Sequence, residues 1–184
     1  MATASPKFKS GTAGRQAPGP AGFVMVGAGI FMNNEAGAPS GRKETGMALR
    51  LELPAGLTGT AEMVVGEQHT APRVGSGRIR VLATPVMINL IEAAALAAVE
   101  QSLPEQHQSL GTRLDISHVA ATPVGMRVRA TAEVVGVEGR TIRFRVRAED
   151  ERELIGEGTH ERVVVNLERF DQRVRDKAAG GGAP

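Results

Sequence analysis

The sequence predicts an α+β domain in which an antiparallel sheet wraps around one long apolar helix. Three observations carry this. The stretch ATPVMINLIEAAALAAVEQ (83–101) is apolar nearly all round, and Glu92 is its only charge between Pro85 and Val99, as in a helix buried on more than one side. Four later segments, 111–119, 126–135, 141–150 and 154–167, alternate apolar and polar residues with the period of strands. The connections between them are short, which pairs consecutive strands antiparallel as a meander.

The elements follow in order. Residues 1–46 contain nine Gly, eight Ala and four Pro without helical or strand period, the composition of a disordered extension. Within it, GFVMVGAGIFM (22–32) follows Lys7, Lys9 and Arg15, so one reading is a signal-peptide core with AGA (36–38) as cleavage site. Another is an over-extended gene start, with the domain opening at Met47. TAEMVV (60–65) and GRIRVL (77–82) read as short strands. Thr84 is placed to cap the long helix and Pro85 suits its first turn. SLPEQHQSLG (102–111) ends that helix. In the strands, Val128, Ala130, Ala132 and Val134 share one face, as do Ile142, Phe144 and Val146. LERFDQRVRDK (167–177) reads as a terminal helix before a Gly-rich tail. The domain is thus expected over 47–177, with 178–184 as a flexible tail.

Composition narrows the function classes. The chain has no cysteine, which removes a disulfide frame, a thiolate zinc site and a cysteine nucleophile. Trp and Tyr are absent, which argues against an aromatic platform for single-stranded nucleic acid. Of 22 Lys/Arg and 20 Asp/Glu, five and two fall in residues 1–46, leaving 17 and 18 in the remainder. The folded part is therefore about neutral, and the basic pI is poor evidence for nucleic-acid binding. No apolar run approaches a membrane span. The four histidines, at 69, 107, 118 and 160, lack metal-binding spacing, and neither a GxSxG elbow nor a phosphate loop is present. No cofactor, metal, nucleic acid or membrane partner is expected.

Three residues stand out against this background. Glu92 sits among Ile88, Ala95, Leu96 and Val99 on the helix surface; it is a candidate general base or nucleophile, or else a helix-edge glutamate paired with an arginine. His118 shares its strand face with Leu114 and Ile116, so it is either hydrogen-bonded to backbone or catalytic. Thr84 lies at a helix start whose free N–H groups and dipole suit an oxyanion. Thr84 and Glu92 are eight residues apart, about 12 Å along the helix, so they meet at one carbonyl only if they come from two chains. Arg127, Arg129, Arg143, Arg145 and Arg147 form an outward stripe, either ion-paired and solvated or facing a ligand's phosphates. His160 and Arg162 share a face of the last strand, where Arg162 pairs with a buried acid or clamps an acyl group.

A helix buried by a wrapped sheet is the hotdog arrangement, whose pairing into dimers accounts for a helix apolar on every side. The segments ATPVMINLIEAA, SLGTRLDISHVAATPVG and IGEGTHERVVVNLERF with the following VRDK resemble the fluoroacetyl-CoA thioesterase family of hotdog proteins, over about 47–177. The resemblance implies a catalytic set of Thr84, Glu92 and His118, with Gly111 and Arg162 near the acyl group. It implies a cytoplasmic, homodimeric or larger acyl-CoA thioesterase acting on an acyl-CoA substrate. The fluoroacetate-specific member carries a longer, Phe-bearing segment before the helix as a hydrophobic lid; here that segment is APRVGSGRIRVL, without an aromatic residue. Two other readings use the same fold: a hotdog dehydratase on acyl thioesters, and a non-catalytic acyl-CoA-binding protein.

Overall fold

A computed structural model describes residues 51–180. The 1–46 segment, with both of its readings, lies outside the described residues. The elements are β1 (Thr58–Val64), a 3-10 turn (Glu67–His69), the one-turn helix α1 (Ala71–Val74), α2 (Thr84–Val99), a second 3-10 turn (Glu100–Ser102), β2 (His107–His118), β3 (Arg127–Glu138), β4 (Thr141–Asp150), β5 (Leu154–Asn166) and α3 (Leu167–Ala178). The α+β hotdog architecture is present: one antiparallel sheet curls against α2.

Strand order is β1-β3-β4-β5-β2. The meander expectation holds for β3, β4 and β5 but not for β2, which pairs with β5 at the far edge rather than with β3. Residues 119–126 carry the chain from one side of the sheet to the other. Backbone bonds from Val119 to the Ile155 carbonyl and from Leu82 to the Thr122 carbonyl tie that connection down. Thr122 is fully buried and donates its hydroxyl to Asp150 Oδ2 at 3.0 Å, which locks the crossing segment to the β4–β5 turn.

The stretch 77–82 is not a strand. It contributes only isolated bridges, Thr70 to Leu82 and Val81 to Pro123. Gly75 ends α1 in the left-handed conformation (φ 76°), and the following residues loop outward, with Ile79 74% exposed. The alternation of 77–82 is therefore not matched by a ladder: only its last two residues, Val81 and Leu82, make bridges.

The core lies between one face of α2 and the concave face of β3 and β4. Met87, Leu90, Ile91, Ala94 and Ala98 pack there with Val128, Ala130, Ala132, Val134, Ile142, Phe144 and Val146. Alanines on the helix and sheet bring the two layers close. At Gly59 in β1 the approach is closest: an added Cβ would overlap the backbone of Ala94 and Ala98. Helix α2 packs chiefly against β1 and β3 and barely reaches β2. The inward row of β2 is left partly bare, with Leu114 39% exposed. On the convex face the arginine stripe is ion-paired: Arg127 and Arg129 with Glu62, Arg143 with Glu138 and Glu161, and Arg147 with Glu149. These are exposed pairs of small energetic weight.

Candidate active site

The candidate residues fall into two groups at opposite ends of β2. The first joins the start of α2 to the end of β2: Thr84 Oγ1 lies 2.9 Å from His118 Nδ1. Thr84 is the first helical residue, and Ala83 occupies the N-cap without a side-chain cap bond. The expected capping role of Thr84 is not filled, because Thr84 lies one residue inside the helix, where its hydroxyl meets the histidine instead. The helix start also presents fewer amides than expected. Pro85 has none, and the Val86 and Met87 amides both turn back to the Ala83 carbonyl. The Thr84 N–H is left as the free amide of this turn among the described residues.

His118 is half-buried, and its Nε2 is shielded from solvent without a protein partner among the described residues. Burial holds its pKa below the ordinary 6.5, and a hydrogen bond with the Ala120 backbone opposes this in part. The ring is therefore neutral near pH 7. Thr84 and His118 line an open cleft of about 400 Å³, walled by Ala71, Arg78, Ile79 and Val81.

The second group surrounds Glu92. Register places Gly111 of β2 opposite Arg162 of β5, at a bulge between Gly111 and Arg113. The Glu92 carboxylate lies over Gly111, in space that a side chain would fill: a Cβ there would overlap Glu92 Oε1 and sit 3.1 Å from His160 Cε1. Arg162, 6% exposed, lies 3.6 Å from Glu92 Oε1 through Nη1. Its Nε–Nη2 edge is occupied: Nε donates to Ser109 Oγ at 2.9 Å and Nη2 to the Ser109 carbonyl at 2.7 Å. Burial lowers the Arg162 pKa, and the Glu92 charge opposes that.

His160 is fully buried and stacked on Phe144, with ring centroids 6.0 Å apart. Its Nδ1 lies 2.9 Å from the Arg113 carbonyl, which can only accept, so Nδ1 carries the proton. Its Nε2 lone pair then faces Arg162 Nη1 at 3.4 Å. Burial, reinforced by the Arg162 charge, lowers its pKa, while the Arg113 bond and Glu92 oppose. His160 is neutral, and its 3.9 Å approach to Glu92 is a contact rather than an ion pair.

The structure thus joins Thr84 to His118, and Glu92 to Gly111 and Arg162, without joining the two groups within one chain. Glu92 is less enclosed than its apolar neighbours in the sequence suggest: its side chain keeps 36% exposure, and its charge is met by Arg162. Arg162 meets an acid, as one of the two readings open in the sequence has it, although that acid is partly exposed rather than buried. Ser109 and the contribution of His160 were not legible as site features. The signal was there in the alternation Ser109–Gly111 on β2 and His160–Arg162 on β5, but it needs the β2–β5 register to be read.

A curled antiparallel sheet around one helix is the hotdog fold, here with a Thr–His pair at the helix start and a separate Glu–Arg pair, and the class of protein it belongs to is the hotdog-fold thioesterases. Residues 65–168 match the family described as fluoroacetyl-CoA-specific thioesterase, and the chain belongs to that family. The fluoroacetyl-CoA thioesterase of Streptantibioticus cattleyicolor is 46% identical over 101 residues, 55% of this chain and 73% of that protein. The solved structure of the fluoroacetyl-CoA thioesterase FlK superposes with a TM-score of 0.65 at 38% identity, over 68% of this chain and 98% of that one. A thioesterase superfamily member of Thermus thermophilus, TTHA0967, superposes with a TM-score of 0.62 at 27% identity, over 70% and 98% of the two chains.

Proposed function

We propose that this protein is a homodimeric acyl-CoA thioesterase, with each active site built from Glu92, Gly111 and Arg162 of one subunit and Thr84 and His118 of the other. The observation that carries this is the division of the family's motif residues into two half-sites in one chain. β2 is a twelve-residue edge strand whose outer edge has no neighbour among the described residues, a liability unless another strand covers it. Pairing β2 with its own copy about a two-fold axis runs the strands antiparallel. Counted across the bulge between Gly111 and Arg113, an axis passing at Asp115 sets Gly111 of one chain opposite His118 of the other. That register brings the Glu92 group to the Thr84–His118 cleft twice per dimer, and it gives the bare inward row of β2 a partner.

In this site the Glu92 carboxylate either takes a proton from an attacking water or itself attacks the thioester carbon. A C–O bond forms, and the Thr84 N–H at the helix start holds the oxyanion. Collapse breaks the C–S bond. In the first route the proton taken by Glu92 passes to the departing thiolate, with His118 Nε2 as relay. In the second, water hydrolyses the resulting anhydride and supplies that proton. FlK has been solved as a variant holding fluoroacetate and CoA, which supports an acyl-CoA substrate here. The acyl group is proposed to be short or medium, because the cleft is open and the 71–82 segment brings no aromatic side chain to close it.

The test is subunit complementation with a free-thiol readout on a panel of acyl-CoAs. Glu92→Gln and His118→Ala proteins are each expected to be nearly inactive. Denatured and refolded together, they should recover about a quarter of wild-type activity, because half of the dimers are mixed and each has one intact site. Recovery of nothing from well-folded mixed dimers would place both groups in one chain's site. Binding without thiol release by the wild type, or hydration of an enoyl-CoA, would overturn the thioesterase reading itself.

A further inference from the structure

We infer that His160 and Ser109 are positioning residues for Glu92, acting through Arg162: they hold the guanidinium so that it offers charge to the carboxylate without gripping it. The inference rests on Glu92 as the reacting carboxylate.

The argument starts from what an arginine does beside a carboxylate. Left free, a guanidinium takes a carboxylate through two parallel N–H bonds, along its Nε–Nη2 edge or across Nη1 and Nη2. A glutamate held that way has lone pairs on both oxygens committed, which suits an ion pair and hinders a nucleophile or base. Here the Nε–Nη2 edge is closed, and Nη1 is shared between His160 and Glu92. Ser109 takes the Nε proton on its hydroxyl and an Nη2 proton on its carbonyl. Across the top, His160 Nε2 faces Nη1. What remains for Glu92 is one Nη1 approach at 3.6 Å, beyond a normal hydrogen bond.

His160 does this only in one protonation state and one tautomer. The Arg113 carbonyl fixes the proton on Nδ1, and the lone pair on Nε2 is what Arg162 meets. A protonated ring would set a second cation against a buried guanidinium. Stacking on Phe144 and complete burial fix the ring plane. Ser109, 3% exposed, is equally fixed, two residues before Gly111, over which Glu92 lies. Together these contacts keep a buried cation near a partly exposed acid without a two-pronged grip on it.

The experiment uses full-length dimeric protein and acyl-CoA turnover, with crystal structures of the variants. His160→Phe keeps ring volume and the Phe144 stack but removes the lone pair. His160→Gln restores an acceptor oxygen near the Nε2 position. Ser109→Ala, whose fold is at little risk, frees the Arg162 Nε–H. We expect kcat to fall between about tenfold and a hundredfold in His160→Phe, the scale of a misdirected hydrogen bond to a charged group, with KM within about twofold. His160→Gln should recover most of that loss, and Ser109→Ala should lose kcat by several-fold. In the structures of the two impaired variants, Arg162 should close onto Glu92 with two short N···O contacts. The inference is overturned by folded His160→Phe and Ser109→Ala proteins with wild-type kcat, by Gln failing to outperform Phe, or by impaired variants in which Arg162 stays away from Glu92. Failure of the reading beneath it shows separately, as turnover that survives Glu92→Gln if Glu92 is not the reacting carboxylate, or as a wild type that binds acyl-CoA without releasing thiol if the protein is not a thioesterase.

Discussion

Replacing Gly111 by alanine should damage catalysis while sparing the fold. The backbone at Gly111 is not in the left-handed region, so alanine fits its conformation and restricts the unfolded chain slightly. The new methyl would meet Glu92 Oε1 inside van der Waals contact and lie 3.4 Å from Glu92 Cδ and 3.1 Å from His160 Cε1. His160 is buried and held by two partners, so the mobile end of Glu92 yields. Regaining ordinary contact needs a retreat of the carboxylate by about 1 Å, a misplacement that costs about a hundredfold in rate. That corresponds to about 2.7 kcal/mol of transition-state stabilisation. The assay is kcat/KM for thiol release beside thermal unfolding followed by circular dichroism. Gly59→Ala is the contrast: its methyl would strike the backbone of α2 at Ala94 and Ala98, which cannot swing aside, so it should lower Tm markedly. A folded Gly111→Ala protein with wild-type kcat/KM would refute the placement of Glu92 over Gly111 as the productive one.

Other outcomes follow from the same geometry. Glu92→Gln should remove most turnover while keeping Tm, and His118→Ala should cost about a hundredfold or more, the scale of a lost acid–base group, both read by thiol release. With an open cleft and Ile79 74% exposed beside it, fluoroacetyl-CoA should be preferred over acetyl-CoA by no more than about two-hundredfold in kcat/KM; a preference of many thousandfold would show that an aromatic lid is not needed for that selectivity. His118 and His160 both have folded pKa values pushed below the ordinary 6.5 by burial. Below that value the unfolded chain binds more protons than the folded one. Their contribution to stability is therefore complete above about pH 6.5 and is lost as pH falls through the lowered folded values. Thermal melts should show Tm declining below about pH 6.5, with a shallower decline in His160→Gln; parallel slopes would refute this.

Much of the domain was legible in the sequence, because it depends on local pattern. Helix α2 followed from an uninterrupted apolar run, and β3, β4 and β5 from strict alternation joined by short loops. For β4 the expected span and the observed one coincide at Thr141–Asp150. Thr84, Glu92, His118, Gly111 and Arg162 stand out in the sequence as chemistry-bearing residues in an otherwise simple pattern and through their family resemblance. The eight-residue separation of Thr84 and Glu92 already required two sites along the helix.

What remained undecided depends on which distant segments meet. Alternation assigns a face to each residue of β2 but not a neighbour to the strand, so only the folded chain shows β2 beside β5 rather than β3. That pairing sets Gly111 opposite Arg162 and thereby creates the space that Glu92 occupies. The N-cap role of Thr84 was overridden because the chain enters the helix one residue earlier, with Ala83 in the extended cap conformation, and the Thr84 hydroxyl lies 2.9 Å from His118, 34 residues away. The false strand at 77–82 arose because alternation in the sequence carries no tertiary pairing: residues 77–80 are exposed and only Val81 and Leu82 make bridges. The Ser109–Arg162–His160 network is largely tertiary: the bonds of Arg162 to Ser109 and of His160 to the Arg113 carbonyl cross from β5 to β2, and the latter fixes a tautomer that no sequence pattern records. Local periodicity is written into the chain by side-chain size and polarity, whereas the chemistry of a site depends on ångström distances between residues that only packing brings together.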